Sequence, residues 1–239
     1  MIRAGRVRVN GEVVTTPGAP VDEAADRVAL DGRWLRIQPR RYIILNKPRG
    51  PISAARDRRG RQTVLDLLGD SQARLYPAGR LDADTQGLLI ITNDGDLTLR
   101  LTHPRFGVEK VYQAEVAGRP STDALDRLRS GIMLEDGPSG PAGVRVLRAG
   151  NTSSSVELTI HSGRKRQVRR MLAAVGHPVT SLTRTRVGPL ALGDLKPGEW
   201  RHLTQREVSQ LRAAAEKRTA SGAGGGDTQQ TESARRGRT

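Results

Sequence analysis

The sequence predicts an α+β protein with a largely antiparallel sheet, and two observations carry this prediction. Short apolar runs of strand length recur along the chain, at residues 42–46, 88–92, 111–116, 144–147 and 156–160. Helical patterns lie between some of these runs, but they do not alternate with the strands in the strict βαβ order of a parallel sheet. This irregular order favours the α+β class over a doubly wound α/β fold.

Residues 1–37 are expected to form a small basic module. Apolar and polar residues alternate on both sides of Asn10-Gly11, which is a strong signal for a tight hairpin because both residues tolerate positive φ. A second short strand pair is expected around Asp31-Gly32. Residues 38–41 are expected to link this module to the rest of the chain.

A larger domain is expected over residues 42–217. Its first strand is ended by Pro48, which cannot donate a hydrogen bond to a sheet ladder. Thr63 is expected to cap a short helix. Turns are expected at residues 93–95 and at residues 153–155.

Apolar periodicity and composition predict three helices, at residues 124–128, 164–175 and 204–217. In the second helix, Val168, Leu172 and Val175 recur at i, i+4 and i+7 and form the buried face. The basic residues of this helix lie together on another face: Arg166, Arg169 and Arg170. Residues 218–239 contain almost nothing apolar and are expected to be a disordered basic tail.

Composition excludes several classes of protein. With 239 residues and 36% hydrophobic content the chain can bury a sizeable core, but no apolar run reaches the roughly 18 residues of a membrane span. The chain begins without the apolar stretch of a secretory signal. It has no cysteine, and its histidines lack metal-ligand spacing. A cytoplasmic protein without a metal is therefore expected.

The charge balance indicates a polyanionic partner. Forty basic residues against twenty-five acidic residues give a net charge of +15, which suits RNA. Only five of the basic residues are lysines, and arginine binds phosphate bidentately and stacks on bases. A genome rich in arginine codons explains the arginine bias equally well, although not the net charge. Membrane binding is not expected, because no basic amphipathic helix with a broad apolar face is evident.

The most specific segment of the chain is a glycine-punctuated loop that leads into a buried strand. The loop contains Gly79-Arg80-Leu81-Asp82 and runs directly into the apolar residues 88–91. A carboxylate is thereby placed at the rim of a rigid sheet, where functional groups often lie. Spacing alone leaves a structural role open, in which Asp82 or Asp84 caps a turn and Arg80 is its surface partner.

This loop resembles the signature of RNA pseudouridine synthases. The similar residues are Gly79-Arg80-Leu81-Asp82 followed by Thr85-Gln86-Gly87-Leu88-Leu89. More closely, the chain resembles the RsuA/RluB/RluE/RluF family of ribosomal RNA enzymes. Further blocks match that family in the same order, at residues 47–50, 110–116, 163–172, 187–190 and 195–203. The resemblance implies a catalytic domain with a largely antiparallel mixed sheet flanked by helices.

The resemblance also implies a reaction without metal or cofactor. In that reaction the bond between ribose and a uracil nitrogen breaks, the base turns, and it rejoins through carbon, with no redox step or outside group. Asp82 matches the catalytic carboxylate, which either attacks the anomeric carbon or removes the neighbouring sugar proton. Tyr112 matches the tyrosine that packs against the target base. Arg169 matches the basic residue that pairs with the carboxylate and keeps it ionised and oriented.

Several basic residues are expected to contact RNA. Arg80 is expected to bind phosphate and to support a flipped-out nucleotide, because the scissile bond is unreachable while the base is stacked. Leu203 matches an apolar residue that lines the family's pocket. The other expected RNA contacts are the following basic residues: Lys47, Arg164, Lys165, Arg166, Arg170, Arg6 and Arg8.

Residues 2–11 resemble the second half of the S-four-type (alpha-L) RNA-binding domain that precedes this catalytic core. That module normally opens with two helices, and nearly all of that part is absent here. The module is therefore expected to be truncated, and both a shortened domain and a start codon assigned too late explain this.

The resemblance predicts an enzyme that isomerises one or a few uridines in ribosomal RNA. Large-subunit RNA is favoured because the basic tail resembles that of the RluB branch, and the substrate is either free RNA or an assembly intermediate. A monomer is the default expectation. The alternative from another class is a non-catalytic RNA-binding or ribosome-assembly protein that has kept the fold. An enzyme of the same fold that acts on transfer RNA also stays open.

Overall fold

The computed structural model describes residues 1–22, 25–36, 38–69 and 74–221 of the chain. The chain divides into two compact units after Arg40. No helix within the described ranges is both long and apolar enough to cross a membrane. The last helix continues past its expected end at Lys217 to Ser221, and the rest of the expected tail, residues 222–239, lies outside the described residues.

The first unit contains a small antiparallel sheet. Its strands are β1 (Val7–Val9), β2 (Glu12–Val14), β3 (Val28–Leu30) and β4 (Arg33–Trp34), paired in the order β2-β1-β3-β4. Both predicted hairpins are confirmed, one through Asn10 and Gly11 and the other through Asp31 and Gly32. All four residues have positive φ, between 52° and 91°, which is the backbone that two-residue hairpins favour.

The second unit is built on a nine-stranded mixed sheet. Its first strands are β5 (Tyr42–Lys47), β6 (Tyr76–Pro77), β7 (Gln86–Thr92) and β8 (Lys110–Ala117). These are followed by β9 (Met133–Leu134), β10 (Gly137–Pro138), β11 (Gly143–Arg148), β12 (Ser153–Ile160), β13 (Val179–Val187), β14 (Leu190–Ala191) and β15 (Trp200–His202).

The order of these strands confirms the α+β prediction. The sheet runs β11-β12-β8-β13-β7-β5-β15, with β14 beside β13 and β6 beside β7, while β9 and β10 form a separate ribbon. Among the described strands every pair is antiparallel except β7 with β13. The sheet is therefore mixed but largely antiparallel, as expected.

Helices supply apolar side chains to two buried clusters that share the sheet. The helices are α1 (Gly95–Thr102), α2 (Thr122–Ser130), α3 (Gln167–Ala174) and α4 (Gln205–Ser221). Along β7, Leu89 and Ile91 belong to the cluster that contains residues of α2 and α3. Leu88 and Ile90 belong to the cluster that contains residues of α1 and α4. Because successive strand residues point to opposite faces, the central strands are buried on both sides.

The sequence predicts turns at two segments, and in the structure one leads into a helix and the other begins a strand. Residues 93–95 lead into α1, and the carboxylate of Asp94 accepts a hydrogen bond from the Leu97 N–H at 3.1 Å as the helix N-cap. Residues 153–155 form the start of β12, where Ser154 is fully buried and donates from Oγ to a backbone carbonyl 2.7 Å away. Both segments contain residues that serve equally well in turns, caps and buried hydrogen bonds.

Two predicted helix starts are also wrong. Thr63 does not cap a helix: its backbone N–H donates to the Asp66 carboxylate at 2.7 Å, and only a short 3-10 helix follows. The basic helix α3 begins at Gln167 rather than at residue 164. The reason is that Arg166 has a φ of 51°, a left-handed conformation that ends a right-handed helix.

Gly87 is required for the parallel contact between β7 and β13. A Cβ atom on Gly87 would lie 2.3 Å from the carbonyl oxygen and 2.6 Å from the nitrogen of Arg184, and its φ is +110°. We expect Gly87→Ala to lower the free energy of unfolding by at least about 3 kcal/mol, since overpacking adds to backbone strain. Urea unfolding measures this loss. The control is Gly50→Ala, because Gly50 has a similar φ of +108° with open space around it. Equal losses in the two variants would contradict the steric explanation.

Candidate active site

The candidate active site is built around the loop between β6 and β7, which carries Asp82. The Leu81 N–H donates to Ser53 Oγ at 3.0 Å, and the same hydroxyl donates back to the Leu81 carbonyl at 2.9 Å. The Gly50 N–H donates to the Ala83 carbonyl at 2.8 Å. The side chain of Leu81 is buried, and that of Asp82 is partly buried. These contacts on both sides of Asp82 fix its backbone, so the carboxylate is presented from a rigid support.

Lys47, the last residue of β5, stabilises the same loop through hydrogen bonds from its side chain. Its side chain is fully buried, and Nζ donates to the carbonyl oxygens of Pro48 at 2.9 Å, Thr85 at 3.0 Å and Asp82 at 3.2 Å. Burial lowers the pKa of Lys47 to about 8. The prediction that Lys47 contacts RNA is wrong, because the ammonium group is enclosed by the loop that it supports.

A pocket of about 280 Å³ opens beside this loop. Asp82 and Tyr112 both line it, although they are far apart in the sequence. Tyr112 lies on β8 and is 8% exposed. Ile160 and Leu182 contribute apolar surface from the neighbouring strands β12 and β13. The volume is close to the lower end of the range for small-molecule sites, which suits a single flat ring with its polar partners.

Arg169 does not pair with Asp82, which corrects the sequence expectation. Its Nη2 lies 3.3 Å from the carboxylate of Asp84 and donates to the Asp84 carbonyl at 3.0 Å. Arg166 also binds the Asp84 carboxylate, at 3.0 Å. In the described part of the chain no hydrogen bond or ion pair engages the carboxylate of Asp82. In this arrangement Nη2 of Arg169 is held by Asp84, two residues after Asp82, while the buried Nε of Arg169 has no hydrogen-bond partner.

The ion pairs at Asp84 keep this carboxyl group charged. Partial burial raises its pKa, but the hydrogen bond from Arg166 and the charge of Arg169 outweigh that effect, so the pKa of Asp84 lies below its ordinary value. Asp84 therefore joins the loop that carries Asp82 to the start of α3. Through this contact the basic segment before α3 is attached to the loop that carries Asp82.

Two further predicted RNA-binding arginines are, like Arg166, held within the protein. Arg164 binds the Asp136 carboxylate at 3.0 Å and the Pro138 carbonyl at 2.7 Å. Arg170 binds the same carboxylate through two bonds of 2.8 and 2.9 Å. These contacts attach the start of α3 to the β9–β10 ribbon. Because the Nη groups of both residues are held within the protein, we assign Arg164 and Arg170 to structure rather than to phosphate binding.

Arg80 and Lys165 are the more available basic residues of the pocket. Both are exposed and line it, Arg80 from the loop that carries Asp82 and Lys165 from the segment before α3. Within residues 74–221 neither side chain has a hydrogen bond or an ion pair. The two cations therefore face solvent on two different segments of the pocket wall, where a polyanion could reach them.

Leu203 does not line the pocket, contrary to expectation. It follows β15, its N–H donates to the Tyr42 carbonyl at 2.9 Å, and its side chain packs against the cluster formed with α1 and α4. The side chains of Ile160 and Leu182 provide apolar pocket lining instead. The difference arises because β15 is the edge strand beside β5, whereas the pocket lies along β7, β8 and β13.

The basic residues predicted for the first unit are engaged locally. Arg6 binds the Asp31 carboxylate through two bonds of 2.8 and 2.6 Å, and Arg8 donates to the Gly11 carbonyl at 2.8 Å. The pairing raises the pKa of Arg6 through its hydrogen bonds to Asp31. Both arginines remain on the surface of the unit, so contact with RNA stays a prediction for them.

Known proteins with similar sequences identify the family. The family model described as RNA pseudouridylate synthase matches residues 41–174, which is more than half of the chain. This chain belongs to the RNA pseudouridine synthase family. A second model, described as the S4 domain, matches residues 1–28. The suspected resemblance of both units is thereby confirmed.

Individual relatives of this pseudouridine synthase cover nearly the whole chain. An uncharacterised RNA pseudouridine synthase of Aquifex aeolicus (strain VF5) is 46% identical over 88% of this chain and 85% of its own length. The ribosomal large subunit pseudouridine synthase B of Bacillus subtilis (strain 168) is 44% identical over 90% of this chain and 89% of its own length. A crystal structure of a pseudouridylate synthase superposes with a TM-score of 0.68, at 34% identity over 88% of this chain and 90% of that one.

Two pocket residues of this pseudouridine synthase, Arg184 and Lys110, were not predicted from the sequence. Arg184 is 5% exposed in the middle of β13. The available signal was a basic residue two positions after Leu182, within a run whose pattern is otherwise typical of a strand. Lys110 lies two positions before Tyr112 and therefore on the same face of β8.

Within the described residues no group of three or more His, Asp or Glu is arranged to hold a metal ion.

Proposed function

We propose that this enzyme isomerises specific uridines in ribosomal RNA to pseudouridine, with Asp82 acting on the ribose of a flipped-out nucleotide. The observation that carries the proposal is the pocket in which Asp82, on a fixed loop, and Tyr112, on a buried strand, lie together. When the uracil of a flipped-out nucleotide enters this pocket, the Asp82 carboxylate would lie near its ribose and the aromatic ring of Tyr112 against the face of the base.

The chemistry of the reaction explains these residue types. Isomerisation breaks the bond between C1′ of ribose and N1 of uracil and forms a bond between C1′ and C5, so the product has the same atoms as the substrate. Asp82 either attacks C1′ or removes the neighbouring sugar proton, and both routes remain open. Tyr112 packs against the base and is placed to help remove the proton from C5. Neither route needs a metal or a nucleotide cofactor.

Arg169 is proposed to position Asp82 rather than to touch the substrate. Its bonds to the carbonyl and carboxylate of Asp84 fix the loop two residues after the catalytic carboxylate. A shift of about 1 Å in a reacting group can reduce a rate by roughly 100-fold. The contact therefore contributes to catalysis through geometry.

Ribosomal RNA is proposed as the substrate, with large-subunit RNA favoured. This rests on the 44% identity to the protein from Bacillus subtilis that is named a ribosomal large subunit pseudouridine synthase. A looped or single-stranded target is expected, because only there can a base leave its stack at low cost. We further propose that the enzyme acts as a monomer in the cytoplasm, on free RNA or on an assembly intermediate.

A direct assay on purified RNA tests this proposal. Formation of pseudouridine releases the hydrogen of C5, so tritium is released from RNA labelled at that position. We expect release from large-subunit ribosomal RNA with the wild-type protein and none with Asp82→Asn. Release only from small-subunit or transfer RNA would overturn the substrate assignment. Binding of ribosomal RNA without release from any RNA would favour the alternative of a non-catalytic binding protein.

Arg80 and Lys165 are expected to supply part of the phosphate binding. Replacing either residue by glutamine is expected to weaken RNA binding and to reduce the slope of log affinity against log salt by about 1. Fluorescence anisotropy at several salt concentrations measures the slope. Arg145→Gln is the control, because Arg145 is exposed on the edge strand β11 and lies outside the pocket. Slopes equal to that of the control would contradict the assignment.

A further inference from the structure

Arg184 lies beside Tyr112 in the interior of the pocket. It is 5% exposed, and its Nε donates to the Leu88 carbonyl at 2.8 Å. Its Nη1 lies 3.5 Å from the hydroxyl of Tyr112, and its guanidinium carbon lies 6.0 Å from the centre of the tyrosine ring. The strand pairing of Arg184 with Tyr112 across β13 and β8 fixes this arrangement. A guanidinium is thus held next to the side chain expected to pack on the target base.

Lys110 adds a second cation to the same wall of the pocket. It lies on β8, on the same face as Tyr112, and also lines the pocket. Its Nζ donates to the Val108 carbonyl at 2.8 Å. Burial lowers the pKa of Lys110 to about 8, and the charge of Arg184 acts in the same direction. At neutral pH the ammonium form still predominates. Arg184 and Lys110 together are the inner cations of the pocket.

The inner cations lack the carboxylate partner that buried cations ordinarily have. Among the described residues neither forms a salt bridge, and Asp82, which lines the same pocket, pairs with neither. Elsewhere in this unit a half-buried arginine does have such a partner, as when Arg212 binds the buried Asp94 at 2.6 Å. The wall around Tyr112 therefore carries uncompensated positive charge and suits a ligand that is negative.

An RNA phosphate suits this wall poorly. Arg184 is almost completely buried, and the side chains of Ile90, Leu101 and Val187 also line this pocket. A phosphate that stays in the RNA backbone is better served by the exposed Arg80 and Lys165. The part of a flipped nucleotide that penetrates a pocket is the base. We therefore assign the negative charge at the inner cations to the base.

We propose that the inner cations donate to the carbonyl oxygens of the target uracil and stabilise the negative charge that it carries once its bond to ribose has broken. The inference rests on the proposed isomerisation and assigns two further catalytic residues to it. It holds for both routes open to Asp82, because each releases the base with the electron pair of the broken bond. Donors fixed before the reaction stabilise such charge at little cost in reorganisation.

The electron count of the step is balanced. The C1′–N1 bond breaks, and its electron pair goes to the uracil ring, where the charge spreads from N1 to the oxygens O2 and O4. The ring then returns an electron pair to form the C1′–C5 bond. C5 loses a proton and N1 gains one. The ring is therefore anionic only between the two bond changes, and this is the interval in which the inner cations act.

RNA with a substituted target base distinguishes a catalytic role of the inner cations from a structural one. Arg184→Gln and Lys110→Gln are compared with the wild type in single-turnover reactions on two versions of the same target RNA. One version carries uridine and the other carries 5-fluorouridine, whose fluorine withdraws electrons and stabilises the anion without the protein. The readout is disappearance of the starting nucleoside after digestion and chromatography. Lys196→Met is the control, because Lys196 is exposed outside the pocket.

The expected loss for Arg184→Gln is about 100-fold on uridine, as for removal of one fixed donor to a developing anion. The loss on 5-fluorouridine is expected to be smaller, and Lys110→Gln is expected to show the same pattern. Equal losses on the two substrates, or no loss, would overturn the inference while the wild type remains active. A wild-type protein that converts no RNA would instead overturn the proposed function. If Arg184→Gln fails to fold, Lys110→Gln decides the outcome alone.

Discussion

Replacement of Asp82 by asparagine is expected to reduce the formation of pseudouridine by at least about 1,000-fold, the scale on which a single acid–base group acts. Asparagine keeps the shape of the side chain but can neither attack the ribose nor accept a proton from it. The loop should keep its conformation, because its backbone is held by Ser53, Gly50 and Lys47 rather than by the Asp82 carboxylate. RNA affinity should therefore stay within a few fold of the wild type.

Tritium release and RNA binding, measured on the same preparations, check this prediction. The matched control is Asp84→Asn, because Asp84 lies on the same loop but its carboxylate binds Arg166 and Arg169. This variant should remain measurably active. An Asp82→Asn protein with full activity would exclude the proposed mechanism, and an inactive protein that no longer binds RNA would leave folding of the loop as the cause.

Replacement of Lys47 by methionine is expected to lower the free energy of unfolding by at least about 3 kcal/mol, because several buried carbonyls lose their donor together. The carbonyl oxygens of Asp82 and Thr85 are among them. Loss of these bonds should also loosen the catalytic loop, so the single-turnover rate should fall even at temperatures where the variant stays folded.

Urea unfolding and single-turnover rates measure the two effects of Lys47→Met. Lys196→Met is the control, since it removes an exposed lysine with the same change in composition. We expect no more than a small change in stability for the control. If Lys47→Met is as stable and as active as the control, the ammonium group does not organise the loop.

The sequence predicts those parts of the fold that depend on neighbouring residues. The two hairpins of the first unit follow from Asn10-Gly11 and Asp31-Gly32, which adopt the positive φ that such turns require. Strands β5, β7, β8 and β12 follow from their apolar runs, whereas the central strand β13 was missed because its residues are mostly polar. Helix α1 was missed because Asp94 can open a turn or cap a helix, and the choice depends on burial of the following apolar residues.

The site is predicted less completely, because its contacts join distant parts of the chain. The sequence predicts that Lys47 contacts RNA, but in the structure its ammonium group donates to the carbonyl of Thr85 in the loop. Arg169 reads as the partner of Asp82, whereas the fold brings Asp84 to it. Arg184 gives almost no signal of its role, because the carbonyl that orients it belongs to residue 88. Family resemblance identifies residue types at the site, but only the fold shows which donors are already used.

The most direct test of the central claim is pseudouridine mapping of total ribosomal RNA. A strain that lacks the gene for this protein is compared with the same strain carrying either the wild-type protein or Asp82→Ala. We predict that at least one modified site, in large-subunit RNA, disappears on deletion and returns only with the wild-type protein. Return of the site with Asp82→Ala would contradict the catalytic assignment. An unchanged map, together with no tritium release from ribosomal RNA by the purified protein, would contradict the proposed function itself.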